Sequence, residues 1–216
     1  MLEKTRGLLG RREPVRIVCY GDSISEVDSG LGRFGGASCA EKNWGQQLAE
    51  MLRRGFPGSA FAVENFAIGS QNTYEAYGRL RWLEPYHPDL VLIELGPNDC
   101  AGHDLPPSAT ATALTLLVEG ARSTGGADVA VAGMAGDNPL MAYLNHFEET
   151  QTVLKSVAEK MGVPFIDVRS CILAATEGGK RWGDFHNGPG DAHPNDEGHR
   201  VWASTVFDAL KEHLGA

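Results

Sequence analysis

Apolar positions along the chain fall into short continuous runs that alternate with longer stretches of helical spacing. Val15 to Tyr20, bounded by Pro14 and Gly21, reads as a buried strand. Ala60 to Ile68, Leu90 to Leu95, Val129 to Met134 and Val163 to Val168 read the same way. Leu-Val-Leu-Ile-Glu-Leu at 90–95 is the clearest of them, and Pro164 marks the last as an edge strand. Between them, apolar residues at 44, 48, 51 and 52 predict a helix over Asn43 to Arg54. Further helices are expected over Thr73 to Leu83, Ser108 to Ser123, Pro139 to Met161 and Asn195 to Leu214. The third ends at Gly125-Gly126 and the fourth at Gly162.

Five strands alternating with helices predict a parallel sheet covered on both faces, hence a three-layer α/β/α sandwich. Residues 1–14 read as an N-terminal extension and 15–216 as a single domain, with no internal repeat and no dividing linker. In such a sheet, functional groups gather beyond the carboxyl ends of the strands. The segments after Tyr20, Ile68, Leu95 and Val168 should therefore surround one crevice.

Composition narrows the possibilities. The chain has 216 residues, 42% of them hydrophobic, and a net charge of −9. A core of useful size is available without metal or disulfide staples. The acidic balance speaks against nucleic acid and against an anionic membrane surface as partners. The first fourteen residues lack the apolar segment of a secretory leader, and no run approaches the length of a membrane span. The cysteines at 19, 39, 100 and 171 form no CxxC pair. A reduced, cytoplasmic setting is the expectation, with Cys19 and Cys171 as buried small hydrophobes and Trp44, Trp82 and Trp202 in the core.

Four strand ends carry chemistry. Gly21-Asp22-Ser23-Ile24 follows the first strand and can present a serine hydroxyl. Asn65-Phe66-Ala67-Ile68-Gly69-Ser70 ends the second, with small residues that free backbone N–H groups. Gly96-Pro97-Asn98-Asp99 follows the third and offers an amide donor. Gly190-Asp191-Ala192-His193-Pro194-Asn195 places a carboxylate beside a histidine at the start of the last helix. Each block alone is also ordinary cap or turn chemistry. Together they hold a nucleophile, an oxyanion donor set and a base with a carboxylate, the inventory of acyl transfer.

In order along the chain, the four blocks resemble those of the SGNH hydrolases, also called the GDSL esterase/lipase family. The resemblance implies a five-stranded parallel α/β/α fold. It also implies a serine esterase of small acyl esters, with acetyl groups on carbohydrate a leading expectation, and it calls for no cofactor. Ser23 would be the nucleophile and an oxyanion donor through its N–H. Asn98 would be the side-chain donor and His193 the base. Two departures stand out. The family's oxyanion glycine falls on Ser70, with Gly69 as the register alternative. Its Asp-x-x-His spacing is broken by Gly190, which leaves Asp191, two residues before His193, as the third triad member. A backbone carbonyl, or the more distant Asp184, would otherwise orient the imidazole. His199 is expected to be structural.

Other readings compete. His186, Asp191, His193 and His199 have residue types that suit zinc, although no spacing motif supports a metal hydrolase. A non-catalytic, carbohydrate-binding member of the fold is the third possibility. Gly30-Leu31-Gly32-Arg33-Phe34-Gly35 matches a dinucleotide fingerprint but lacks the strand directly before it. Residues 25–42 are read instead as a long loop at the substrate site, with Arg33, Phe34 and Ser38 as possible contacts. Trp182 is read as a second candidate for lining it.

Overall fold

The alternation of side chains along the strands sorts the apolar residues into two cores, one on each face of a single sheet. A computed structural model describes residues 2–26, 40–100, 103–134, 146–187 and 193–215. The elements in chain order are α1 (Glu3–Gly10), β1 (Val15–Gly21), α2 (Trp44–Gly55), β2 (Phe61–Asn65), α3 (Thr73–Gly78), β3 (Leu90–Glu94) and α4 (Pro97–Cys100). They continue with α5 (Pro107–Ser123), β4 (Asp128–Ala132), α6 (Phe147–Met161), β5 (Phe165–Ile166), α7 (Val168–Glu177) and α8 (Asp196–Leu214). Val15, Ile17 and Cys19 of β1, Leu90 and Leu92 of β3, and Ala130 and Ala132 of β4 join one core with Trp44, Leu48, Trp202 and Val206. The intervening residues Val18, Tyr20, Val91, Ile93, Val129 and Val131 join the other with Leu114, Leu117 and Leu154. Both faces of the central strands are therefore apolar, which is why they read as continuous runs.

All strand pairs are parallel, in the order β2-β1-β3-β4-β5. The chain thus reverses direction of travel across the sheet at β1 and β3, and the crevice of such a sheet opens at that switch point. Ser23 follows β1 and Asn98 follows β3. β5 lies at an edge, as Pro164 requires.

Several boundaries differ from the sequence expectation. β2 stops at Asn65, because the Asn65 side chain turns the chain by accepting the Ala67 N–H at 2.8 Å. β5 contracts to two residues, and α7 begins at Val168 behind an Asp167 cap whose side chain accepts the Ser170 N–H. α7 runs on to Glu177, and Cys171 on it is exposed rather than buried. α3 ends at Gly78 and tightens into a 3-10 turn over Leu80–Leu83. That change of rotation per residue swings Trp82 out of the core, leaving it 46% exposed. α1 was not anticipated. Leu2 is buried in the first core, and Asp128 accepts the Thr5 N–H at 2.7 Å. Among the described residues no helix is long and apolar enough to cross a membrane.

Candidate active site

The residue ending β1 is glycine for a local reason. A Cβ on Gly21 would lie 2.6 Å from Ser25 Oγ and 2.7 Å from the Glu94 carbonyl oxygen. The chain then turns tightly. Asp22 Oδ1 accepts the Ile24 N–H at 2.9 Å, and its carbonyl accepts the N–H groups of Ser25 (3.1 Å) and Glu26 (2.9 Å). This turn leaves Ser23 half-buried at the carboxyl edge of the sheet.

His193 reaches it from the far end of the chain. Its Nε2 lies 2.9 Å from Ser23 Oγ, across 170 residues of sequence. The backbone that carries it is held by a short antiparallel bridge between His186 and Pro194. The Asn187 N–H donates to the His193 carbonyl (3.1 Å) and the Asn195 N–H to the Phe185 carbonyl (3.0 Å). Asn195 also caps α8 by accepting the Gly198 N–H, and it donates its side-chain amide to the carbonyls of Asp184 and His186, both at 3.1 Å. The imidazole therefore rides on a loop fixed at both ends.

Asn98, at the start of α4, joins the first two blocks. Its Nδ2 donates to Asp22 Oδ2 at 2.9 Å and to the Gln71 carbonyl at 3.1 Å. These are the residues flanking Ser23 and Ser70 respectively. Both amide hydrogens are thus engaged within the protein, and an oxyanion would compete with the longer Gln71 contact. The N–H groups of Ser23, Gly69 and Ser70 donate to no described atom. Ser70 has φ 61°, in the left-handed region that favours glycine; Gly69 beside it is buried while Ser70 is exposed. His103 Nε2 lies 3.3 Å from the Ser70 carbonyl, at the rim.

Asp191 lies outside the described residues, as do Arg33, Phe34, Ser38 and the glycine-rich stretch 30–35. Asp184 is exposed, and its carboxylate accepts the Arg181 N–H at 2.8 Å. His199 is fully buried in α8, where its Nδ1 accepts the Trp44 N–H at 3.2 Å, one of the orphan donors at the start of α2. Burial there lowers its pKa to about 4, so it is neutral at physiological pH. Among the described residues no three His, Cys, Asp or Glu side chains converge as a metal site.

The structure adds residues that the motifs did not announce. Arg79 is buried and gathers three oxygens: the Gln71 side chain, the Phe66 carbonyl and the Gly21 carbonyl, the last at 3.0 Å. Its guanidinium stacks 3.9 Å from the Tyr20 ring centroid. It locks the second block against the end of β1. Asp99 ties α4 to its neighbours by accepting from the Thr73 hydroxyl (2.5 Å), the Thr73 N–H (3.1 Å) and the Thr110 hydroxyl (2.9 Å). Glu94 is buried at the end of β3, where Oε2 accepts from Ser25 Oγ at 2.7 Å. A lone acid inside the run 90–95 was the available signal for it.

Comparison with known proteins gives this geometry a context. The profile of the GDSL-like lipase/acylhydrolase family matches residues 19–201. No curated protein matches the chain. Among solved structures, it is similar to a two-domain esterase active on acetylated mannans, with 20% identity, a TM-score of 0.76, all of this chain covered and 54% of that one. An acetyl xylan esterase shares 18% identity and a TM-score of 0.71, with 91% of this chain and all of the other covered. The psychrotrophic esterase EstA from Pseudoalteromonas sp. shares 22% identity and a TM-score of 0.66, with 93% and 99% covered. At these identities the structural likeness speaks for the fold.

Proposed function

This chain belongs to the GDSL-like lipase/acylhydrolase family, and from that premise we propose that it is a serine esterase working through an acyl-enzyme on Ser23. The observation that carries the reading is the 2.9 Å contact between Ser23 Oγ and His193 Nε2. That is hydrogen-bond reach for a nucleophile and its base.

The chemistry follows from the placement. Ser23 Oγ gives its proton to His193 Nε2 as it attacks the ester carbonyl. Negative charge grows on the carbonyl oxygen, where the N–H groups of Ser23 and Ser70 (or Gly69) and the Asn98 amide are the candidate donors. His193 then protonates the departing alcohol as the tetrahedral species collapses to the acyl-enzyme. A water molecule deprotonated by His193 repeats the sequence and releases the acid. Asp191 is proposed as the carboxylate that orients His193 and balances its charge. No step in this scheme calls for a metal or an organic cofactor.

We take the substrate to be a small acyl ester, with O-acetyl groups on carbohydrate as the leading class. The likeness to esterases described as active on acetylated mannans and as an acetyl xylan esterase supports that choice. The test is p-nitrophenyl acetate hydrolysis by wild type and Ser23→Ala in one assay, followed by acetate release from acetylated xylan and mannan oligosaccharides. Turnover that vanishes in the variant is expected. Equal rates in both proteins would overturn the serine mechanism.

A further inference from the structure

Arg79 follows directly on α3 and is only 5% exposed, although arginine is ordinarily a surface residue. Its guanidinium donates from three nitrogens into three separate stretches of chain: Nη2 to the Gly21 carbonyl at 3.0 Å, Nη1 to the Phe66 carbonyl and Nε to the Gln71 side-chain oxygen. All three acceptors are neutral, so these are contacts of a planar fork with oxygens and not of an ion pair. The Tyr20 ring fixes the plane of the fork, with its centroid 3.9 Å from the guanidinium carbon. Tyr20 is tied to α3 in turn, because its hydroxyl donates to the Ala76 carbonyl at 2.7 Å.

The three acceptors belong to the segments that carry the candidate oxyanion donors. Gly21 leads into the Asp22-Ser23 turn. Phe66 and Gln71 bracket Gly69 and Ser70, whose N–H groups donate to no described atom. The Gly21 carbonyl also accepts the Ile68 N–H at 3.0 Å, which lays this segment against the end of β1. The Gln71 carbonyl accepts the Asn98 amide at 3.1 Å, and the Ser70 carbonyl faces His103 Nε2 at 3.3 Å. Ser70 stands at φ 61° among these contacts. A non-glycine residue keeps such a backbone only where its surroundings over-determine it. Arg79 supplies a constraint on each side of Ser70 and a third on the end of β1.

We infer that Arg79 is the positioning residue of the oxyanion hole. Through the Gly21 and Phe66 carbonyls and the Gln71 side chain, it holds the N–H groups of Ser23 and Ser70 (or Gly69) and the Asn98 amide in register before substrate arrives. This role rests on the proposed Ser23 mechanism. Arg79 itself touches no reacting atom and keeps its proton throughout. Preorganised donors stabilise the charge that develops in the transition state, so loosening them acts on the rate and not on ground-state binding. A lysine ammonium is a point charge on a flexible stem and does not reproduce the fork.

Arg79→Lys keeps the charge and loses the fork. Its kcat on p-nitrophenyl acetate should fall about 30- to 100-fold with KM within about threefold, a little less than the loss of one oxyanion donor outright. The deciding readout is the Ki of an aryl trifluoromethyl ketone, measured per active site. Ser23 Oγ adds to the ketone carbon, its proton passes to His193, and the ketone oxygen becomes an oxyanion in the hole. Ki should weaken by about the same factor as kcat/KM, as for any mimic of the transition state. A clamp that only supports the fold would lower the melting temperature and the fraction of active sites and leave Ki unchanged. A Ki within about twofold of wild type would therefore overturn the inference. Gln71→Ala removes one arm of the clamp and leaves its backbone carbonyl to Asn98. It should weaken Ki about three- to tenfold, and by less than that when added to Arg79→Lys, because both changes break one contact. Should Arg79→Lys fail to fold, Gln71→Ala decides on the same readout. If Ser23→Ala proves as active as wild type, the serine mechanism fails and this role fails with it. An inactive Ser23→Ala beside an unchanged Ki in the clamp variants would defeat the role alone.

Discussion

His193 Nε2 and Ser23 Oγ stand 2.9 Å apart although one opens the chain's chemistry and the other nearly closes it. Only the parallel sheet makes that approach possible. β1 delivers Ser23 to its carboxyl edge, and the Asn195 cap of α8 holds the His193 loop over the same edge. Each further group that matters sits at the end of a neighbouring strand.

Asn98 is expected to act on the rate more than on binding. Asn98→Ala should lower kcat by about 10²–10³ with little change in KM, because its donor is needed only as charge develops. Steady-state kinetics on a short-chain ester check this. A loss confined to KM would place Asn98 in ground-state binding instead.

Ser70 offers a way to separate backbone from side chain. At φ 61° a serine is strained where glycine is not. Ser70→Gly should keep the rate within about threefold and change stability by no more than about 1 kcal/mol, since relief of strain is offset by a freer unfolded chain. A tenfold fall in kcat would show that the hydroxyl, not the N–H, is the working group.

Much of this arrangement was legible in the chain. β1, β3 and β4 read clearly because both their faces are buried, so the apolar runs are unbroken. The blocks around Ser23, Asn98 and His193 are each ordinary cap and turn chemistry, and they stand out only as an ordered set along the chain. The interior polar scaffold was not legible. Arg79 looks like an ordinary surface arginine at the end of α3, and nothing local says that it will reach the Gly21 and Phe66 carbonyls. α7 is hidden because the run 163–168 reads as a strand through Asp167, the residue that caps the helix. Trp82 misled because helical periodicity fails once α3 tightens into a 3-10 turn.

Gly198 should be intolerant of a side chain. A Cβ there would lie 2.1 Å from the Phe185 carbonyl oxygen and 2.8 Å from Pro194 Cβ, in the loop that carries His193. Gly198→Ala is expected to cost about 1–3 kcal/mol, typical of overpacking against backbone, and to lower kcat with it. Gly78→Ala, with nothing within 4 Å, is the control and should be close to neutral. Thermal melts and kinetics of the two variants make the comparison.

His199 should impose a pH dependence on stability. Its folded pKa of about 4 lies below its ordinary 6.5, so the unfolded chain takes up a proton more readily. Its contribution is complete above about pH 6.5 and is lost as pH falls towards 4, by on the order of 3 kcal/mol. Urea unfolding at about pH 7.5 and about pH 4.5 should show a wider gap in wild type than in His199→Asn, which retains an acceptor for the Trp44 N–H. Equal gaps in the two proteins would remove His199 as the cause.

The acyl-enzyme on Ser23 is best tested by trapping it. Incubation with a p-nitrophenyl alkylphosphonate, followed by intact and peptide mass spectrometry, should give one adduct on the peptide containing Ser23, with loss of esterase activity in proportion. Ser23→Ala should take up no label and show no turnover. An enzyme that remains active and unlabelled, or one labelled at another residue with Ser23→Ala still active, would contradict the account.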